Sequence, residues 1–272
     1  MFLTDYHVHS DVSMDSDAVM EDMIRAEAAA GIEAMCFTNH CDLIRWDNFC
    51  FHPRCLEITA ESVEKLAAAR SRTADLSIEV RLGLELGEAH RHPDIAEKLA
   101  SAEELDFVLG SLHILRDLGD FYFLSYQDMA QCDQYFHRYL DELQSIAALG
   151  FYDVLAHLGY ARRYMWRAGL DAALTLDKFG DKVEQLLRTV IDKGKGFEIN
   201  CSGIRDGCGP FPNEEILRLY RSMGGEIITL GSDAHRPEDA AKGIQTGYEL
   251  LKACGFHYVT VFRQRKPEFI KL

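Results

Sequence analysis

The chain has 272 residues, a hydrophobic content of 47% and a formal net charge of −15. That acidity argues against nucleic-acid or anionic-membrane partners at long range, yet leaves an anionic small molecule open, because bound cations reverse the field locally. No run approaches the roughly 20 apolar residues that span a bilayer, and residues 1–7 lack the basic start and unbroken apolar stretch of a signal peptide, so a soluble, cytoplasmic protein is expected.

Short apolar runs alternate with amphipathic stretches. Strands are predicted over 2–7, 34–39, 80–85, 107–111, 153–156, 196–200 and 226–231, with a further one over 258–262. The first helix is predicted over 18–30, capped by Ser16 or Asp17 and stopped by Gly31. Others follow over 59–72, 93–102, 127–149, 176–193, 214–222 and 237–253. Strand–helix alternation implies parallel strands, and seven or eight such units close into a barrel. The expectation is one α/β barrel domain over 1–272, with a doubly wound open sheet as the alternative. No strand is followed by a Gly-rich phosphate loop or a dinucleotide fingerprint. The eight cysteines contain no C-x-x-C pair and read as reduced thiols. Cys41, Cys50 and Cys55 form the one close group.

The polar residues follow the strands. Strand ends carry His7 and His9, then His40, Glu85, His113, His157, the Glu198-Ile199-Asn200 end of the sixth strand, and finally Asp233 and His235. In a parallel barrel the C-terminal strand ends share one face, where active sites form. His7 and His9 point to one side at period two, and Asp233–His235 repeats that spacing. A lone His after a strand is more often structural, but seven consecutive strand ends aimed at one cleft are not readily explained that way. Asp15 and Asp17 are either helix caps or ligands. His52, His90, His92, His137 and His257 lack the placement and read as surface or packing residues, with His90 and His92 the two that would reach the mouth. Imidazole with carboxylate suits zinc, iron(II) or manganese, and clustered divalent ions suit phosphate-ester hydrolysis.

His7-Val8-His9-Ser10, Thr38-Asn39-His40, Gly83-Leu84-Glu85, Gly110-Ser111-Leu112-His113, Asp153-Val154-Leu155-Ala156-His157 and Gly231-Ser232-Asp233-Ala234-His235 resemble, in order, the motifs of the polymerase and histidinol phosphatase (PHP) superfamily. The resemblance implies a distorted (β/α)7 TIM-like barrel with three divalent transition-metal ions (zinc, iron or manganese). It assigns His7, His9, Glu85 and Asp233 to one ion. Glu85, His113 and His157 go to a second, and Asp15, His40 and His235 to a third. Glu85, Asp233 and His235 take catalytic roles. Asn39 stands where the family often has Asp. Within the superfamily the chain looks most like a stand-alone histidinol-phosphatase, which implies a small-molecule phosphate ester as substrate. Arg163, Arg205 and Arg162 are then the phosphate-binding residues, since guanidinium matches phosphate bidentately. The alternatives are a related esterase for nucleotide diesters or other monoesters, and a non-catalytic metal-binding domain. Segments 46–56 and 88–93 match nothing in the family pattern.

Overall fold

The computed structural model describes residues 2–272; Met1, the first residue of the expected domain, lies outside them. Among the described residues twelve strands form: β1 (Thr4–Val8), β2 (Ala34–Phe37), β3 (His40–Asp42), β4 (Glu79–Gly87), β5 (Phe107–Ser111), β6 (Ile114–Leu115), β7 (Gly119–Asp120), β8 (Val154–Leu155), β9 (Gly196–Asn200), β10 (Ile228–Gly231), β11 (Tyr258–Arg263) and β12 (Lys266–Lys271). Seven of them pair in parallel in the order β1-β2-β4-β5-β8-β9-β10. The ring is nearly closed. A parallel bridge joins Val8 to Ala234, with Asp233 N–H donating to His7 O at 2.8 Å and His9 N–H to Ala234 O at 2.9 Å. The barrel expected from strand–helix alternation is therefore the observed fold, and the open sheet is not.

Side chains alternate across the strands as period two requires. Met35, Phe37, Val108, Leu155 and Leu230 pack outward in the large core that includes Leu66, Leu143, Leu187 and Leu217 of the surrounding helices. Cys36, Phe107, Leu109 and Val154 belong to a second cluster, which includes Val261 and Phe262 of β11. The β11–β12 hairpin thus stops the barrel floor. Its tight turn has Gln264 and Arg265 at positive φ. Arg265 N–H donates to Asp106 O at 2.9 Å, and its guanidinium to Phe151 O at 2.9 Å and to Asp153. Asp106 and Asp153 lie at the N-terminal side of strands, so this is the N-terminal end of the barrel, opposite the face that carries the strand-end histidines and carboxylates.

Three local expectations change. The first helix starts at Met20 with no side-chain cap. Ser16 instead donates to His235 O at 2.8 Å, tying the loop after β1 to the loop after β10. The helix expected over 237–253 is a 3₁₀ turn (Pro237–Asp239) and a helix from Ile244 to Ala253. It breaks because Ala241 and Gly243 adopt left-handed backbone, and a Cβ at Gly243 would press on Cys201. Short helices at Arg162–Arg167 and Ser202–Arg205 also form where none was expected. No helix among the described residues is long and apolar enough to cross a membrane.

Candidate metal centre and active site

Strand register builds the site. His40 stands opposite Glu85 in the β3–β4 pairing, which brings His40 Nδ1 to 3.0 Å from Glu85 Oε2. An irregularity in β1 between Asp5 and Val8 sets three residue steps against two on β2. This extra residue lets Tyr6 pack on Phe107 of the floor cluster while His7 and His9 both reach Glu85. The distances from His7 Nε2 and His9 Nε2 to Glu85 Oε2 are 3.2 and 3.5 Å. On the other side of Glu85, Oε1 lies 2.9 Å from His157 Nε2 and 3.1 Å from His113 Nε2. Glu85 is fully buried and is the hub of the cluster.

Asp233 and Asp15 complete it. Asp233 Oδ1 is 3.4 Å from His9 Nε2 and 3.7 Å from His7 Nε2. Asp15 Oδ2 is 3.1 Å from His235 Nε2 and 3.5 Å from His40 Nε2. Asp17 makes no such contact. All nine residues of the expected ligand set thus lie in one cluster. His157 and Asp233 reach it from left-handed backbone, with φ of 27° and 56°. Such strain costs about 1–3 kcal/mol per residue and collects at functional sites.

The donor set fits divalent cations. His7 Nε2, His9 Nε2, His40 Nδ1, His235 Nε2 and Glu85 Oε2 are buried and have no hydrogen-bond partner. Buried polar atoms are rarely left so, and here they converge. Among the described residues four triplets offer ligand atoms within 4.8 Å of one another: His7, His9 and Glu85; Glu85, His113 and His157; His9, His40 and His235; and His40, Asp42 and His113. The first two match sets implied by the resemblance. The third has His9 where that set has Asp15. The fourth adds Asp42, which sequence reasoning missed.

Electrostatics show the same convergence. Burial opposes ionisation of Glu85, but His40, His7 and His113 outweigh it and hold the carboxyl well below its usual range. Burial likewise opposes charge on Asp233, and His7, His9, His235 and Arg163 hold it well below the carboxylate range. Burial disfavours the His7 imidazolium, but Glu198, Glu85 and Asp233 raise it well above the ordinary value. His9 goes the other way, to about 3, through burial and its neighbours His235 and His40.

Behind the histidines sit Glu198, from the sixth of the expected strand ends, and Asp42, which the sequence did not single out. Glu198 Oε1 is 2.7 Å from His7 Nδ1, and its Oε2 accepts from His157 N–H at 2.9 Å. Asp42 Oδ1 is 3.3 Å from His113 Nδ1. Glu198 requires Gly231 beside it, because a Cβ there would overlap both the Glu198 carboxylate and His7. Such partners fix ring orientation and tautomer. Asn39, placed by sequence next to His40, instead binds Ser10, Ser13 and Ser62.

Above the cluster opens a cleft of about 660 Å³. Arg163 lines it, 3.5 Å from Asp233 Oδ2 and 3.0 Å from Asp206, and it also donates to Ser202 Oγ. Arg162, also in the expected phosphate set, is not among the residues that line it. Its guanidinium donates to Cys208 O, Ala172 O and Asp171 at 2.7, 3.0 and 2.7 Å. Both residues begin the Arg162–Arg167 helix, where consecutive side chains diverge by about 100°, so one alone faces the cleft. Arg167, four residues on and on the same helix face, does line it, as do Arg236 and His52. Arg205 is also absent from the wall; it donates to Ser232 O at 3.3 Å from behind the strand end. Of the two histidines expected to reach the mouth, His90 pairs with Glu142 and His92 packs on Phe51.

The sequence pattern of the PHP domain matches residues 5–202. The chain belongs to the PHP domain family. The part outside that match, 203–272, supplies β10, Asp233, His235 and the floor hairpin. Among PHP relatives, the histidinol-phosphatase of Lactococcus lactis subsp. lactis is 27% identical over 96% of this chain and 95% of its own length. The probable histidinol-phosphatase of Thermotoga maritima is 26% identical over 95% of each. The crystal structure of the Lactococcus lactis histidinol phosphate phosphatase, in complex with zinc, L-histidinol and phosphate, superposes with a TM-score of 0.78 at 23% identity, covering 98% of both chains. The putative histidinol phosphatase of Listeria monocytogenes superposes with a TM-score of 0.72 at 15% identity, over 89% of this chain and 99% of that one. These two likenesses establish the PHP-type barrel.

Proposed function

We propose that this chain is a metal-dependent phosphomonoesterase that hydrolyses L-histidinol phosphate to L-histidinol and phosphate. The observation that carries the reading is the convergence of five histidines, His7, His9, His40, His113 and His157, on one buried carboxylate, Glu85, with unpartnered imidazole nitrogens around it. Relatives covering nearly the whole chain that bear the histidinol-phosphatase name support the substrate. Zinc in the Lactococcus lactis structure supports a zinc-type ion. The ligands proposed are His7, His9, Glu85 and Asp233 for one ion, Glu85, His113 and His157 for a second, and Asp15, His40 and His235 for a third.

Divalent ions held there would neutralise the phosphoryl oxygens and make water nucleophilic near neutral pH. The chain's own groups do the rest. Arg163 grips the phosphate, because a guanidinium presents two parallel N–H donors, and Arg167 and Arg236 add positive charge along the same wall. Asp233 is held ionised by His7 and Arg163, so it accepts the proton of the attacking water and does not donate one. His235, whose Nδ1 lies 3.1 Å from Asp233 O, lines the cleft beside it. At the mouth, Trp46 stacks on Phe123 with ring centroids 4.4 Å apart, and both line the cleft. They offer a flat surface to an imidazole leaving group. Trp46 belongs to the segment that had no match in the family pattern.

A phosphate-release panel on zinc- or manganese-loaded protein tests the reading. Histidinol phosphate should exceed p-nitrophenyl phosphate and nucleoside monophosphates in kcat/KM by at least about a hundredfold, roughly 3 kcal/mol of differential transition-state binding. Equal efficiency across the panel, or preference for diesters, would point to another ester as the substrate.

A further inference from the structure

The ring of His9 is held from behind by a neutral relay, whereas His7 and His113 are backed by carboxylates. Ser13 Oγ meets three groups: His40 N–H at 3.1 Å, Asn39 Oδ1 at 3.1 Å and His9 Nδ1 at 3.0 Å. A hydroxyl has one proton and two lone pairs. The orientation of Asn39 is fixed, because the backbone N–H of Ser10, which can only donate, reaches it at 2.8 Å. That atom is therefore the amide oxygen, and Nδ2 donates to Ser62 Oγ at 3.1 Å. An oxygen acceptor must receive the proton of Ser13. The two lone pairs of Ser13 then accept from His40 N–H and from His9 Nδ1–H. His9 is left with its Nε2 lone pair facing Glu85 and Asp233, and every group in the relay is satisfied.

We infer that Asn39, acting through Ser13, is a positioning residue that fixes His9 as its Nδ1–H tautomer without adding charge, and that the ion of His7, His9, Glu85 and Asp233 is in consequence held less tightly than a carboxylate behind His9 would hold it. The inference rests on the metal-binding reading of the site. A carboxylate behind an imidazole raises its basicity as a ligand; an amide reached through a hydroxyl does not. His7, which shares that ion, leans on Glu198, whereas His9 has the Ser13 hydroxyl in that place. Asp at position 39 would keep every acceptor contact, with Ser62 turning its hydroxyl to donate, and would place a buried negative charge on the relay.

The test is a zinc titration of chelator-treated protein against a competing chromophoric chelator, combined with histidine ¹⁵N NMR of the metal-free and zinc-loaded chain. His9 should give the Nδ1–H pattern in both states. Asn39→Asp should tighten one zinc equivalent by about tenfold, and Ser13→Ala should loosen one by about ten- to a hundredfold, with the other equivalents changed less than about threefold. Asn39→Leu should add a shift of the metal-free His9 signals toward the other tautomer; should it fail to fold, Asn39→Asp and Ser13→Ala carry the test. Normal zinc binding with an Nε2–H His9, or with no zinc equivalent moved in Asn39→Asp and Ser13→Ala, would overturn the relay alone. Failure of wild type to bind zinc would overturn the metal reading and the relay with it.

Discussion

At the scale of single residues, the two adjacent arginines after β8 separate function from scaffold. Arg163 faces the cleft and Arg162 ties loop carbonyls, although they are neighbours after the same strand end. Arg163→Ala is expected to lower kcat/KM by about ten- to a thousandfold, or 1.4–4 kcal/mol, with metal content unchanged. Arg163→Lys should recover only part of this, because it keeps the charge and loses the fork. Arg162→Ala should leave kcat/KM near wild type and lower the melting temperature, since Cys208 O and Ala172 O lose their donor. Steady-state kinetics with elemental analysis and thermal melts separate the two roles; equal kinetic losses in both would contradict the assignment. The strand-end ligands were legible because His and carboxylate directly after apolar runs are chemically out of place. Ser13 and Asp42 were not, because each looks ordinary until the fold sets it behind an imidazole.

At the scale of elements, strand ends and floor divide the work. The parallel register of β1, β4, β8 and β10 gathers the ligands at one end, and the β11–β12 hairpin seals the other. The second strand of that hairpin was missed because its residues, from Lys266 to Lys271, are mostly exposed and charged and show no apolar alternation. Asp153, which begins one of the family-like motifs, serves the floor: its carboxylate holds Arg265 and accepts from Val108 N–H at 2.9 Å. Removing one partner of a buried ion pair leaves the other uncompensated. Arg265→Ala should therefore destabilise the fold by about 2–4 kcal/mol in denaturant unfolding while ion content per folded chain stays at the wild-type level. A loss of ions without a loss of stability would show that the floor reaches the metal face.

At the scale of the molecule, β10 brings Asp233 and His235 back beside β1, and the joint carries a buried acid pair. Glu27, on the helix outside β1, accepts from Ala241 N–H at 3.2 Å, and burial with the nearby Asp5 raises its carboxyl well above the usual value of 4.5. Burial raises Asp5 to about 6. A raised acid binds its proton more tightly in the folded than in the unfolded chain. Its contribution is therefore favourable below the unfolded value and is lost as pH rises through the folded one. Glu27→Gln keeps the shape and the acceptor but cannot ionise. It should match wild type in stability near pH 4 and gain on it as pH rises toward 8, read from denaturant midpoints. A constant difference across that range would show that Glu27 does not titrate on folding.

The account as a whole rests on Glu85 as the shared carboxylate of a multi-ion centre. Ions counted per chain by elemental analysis, after reconstitution with zinc or manganese and removal of excess, test it most directly. Wild type should hold between two and three, Glu85→Ala should lose two at once, and His40→Ala should lose chiefly one. One ion or none in reconstituted wild type, or a Glu85→Ala variant that keeps the full wild-type count, would contradict it.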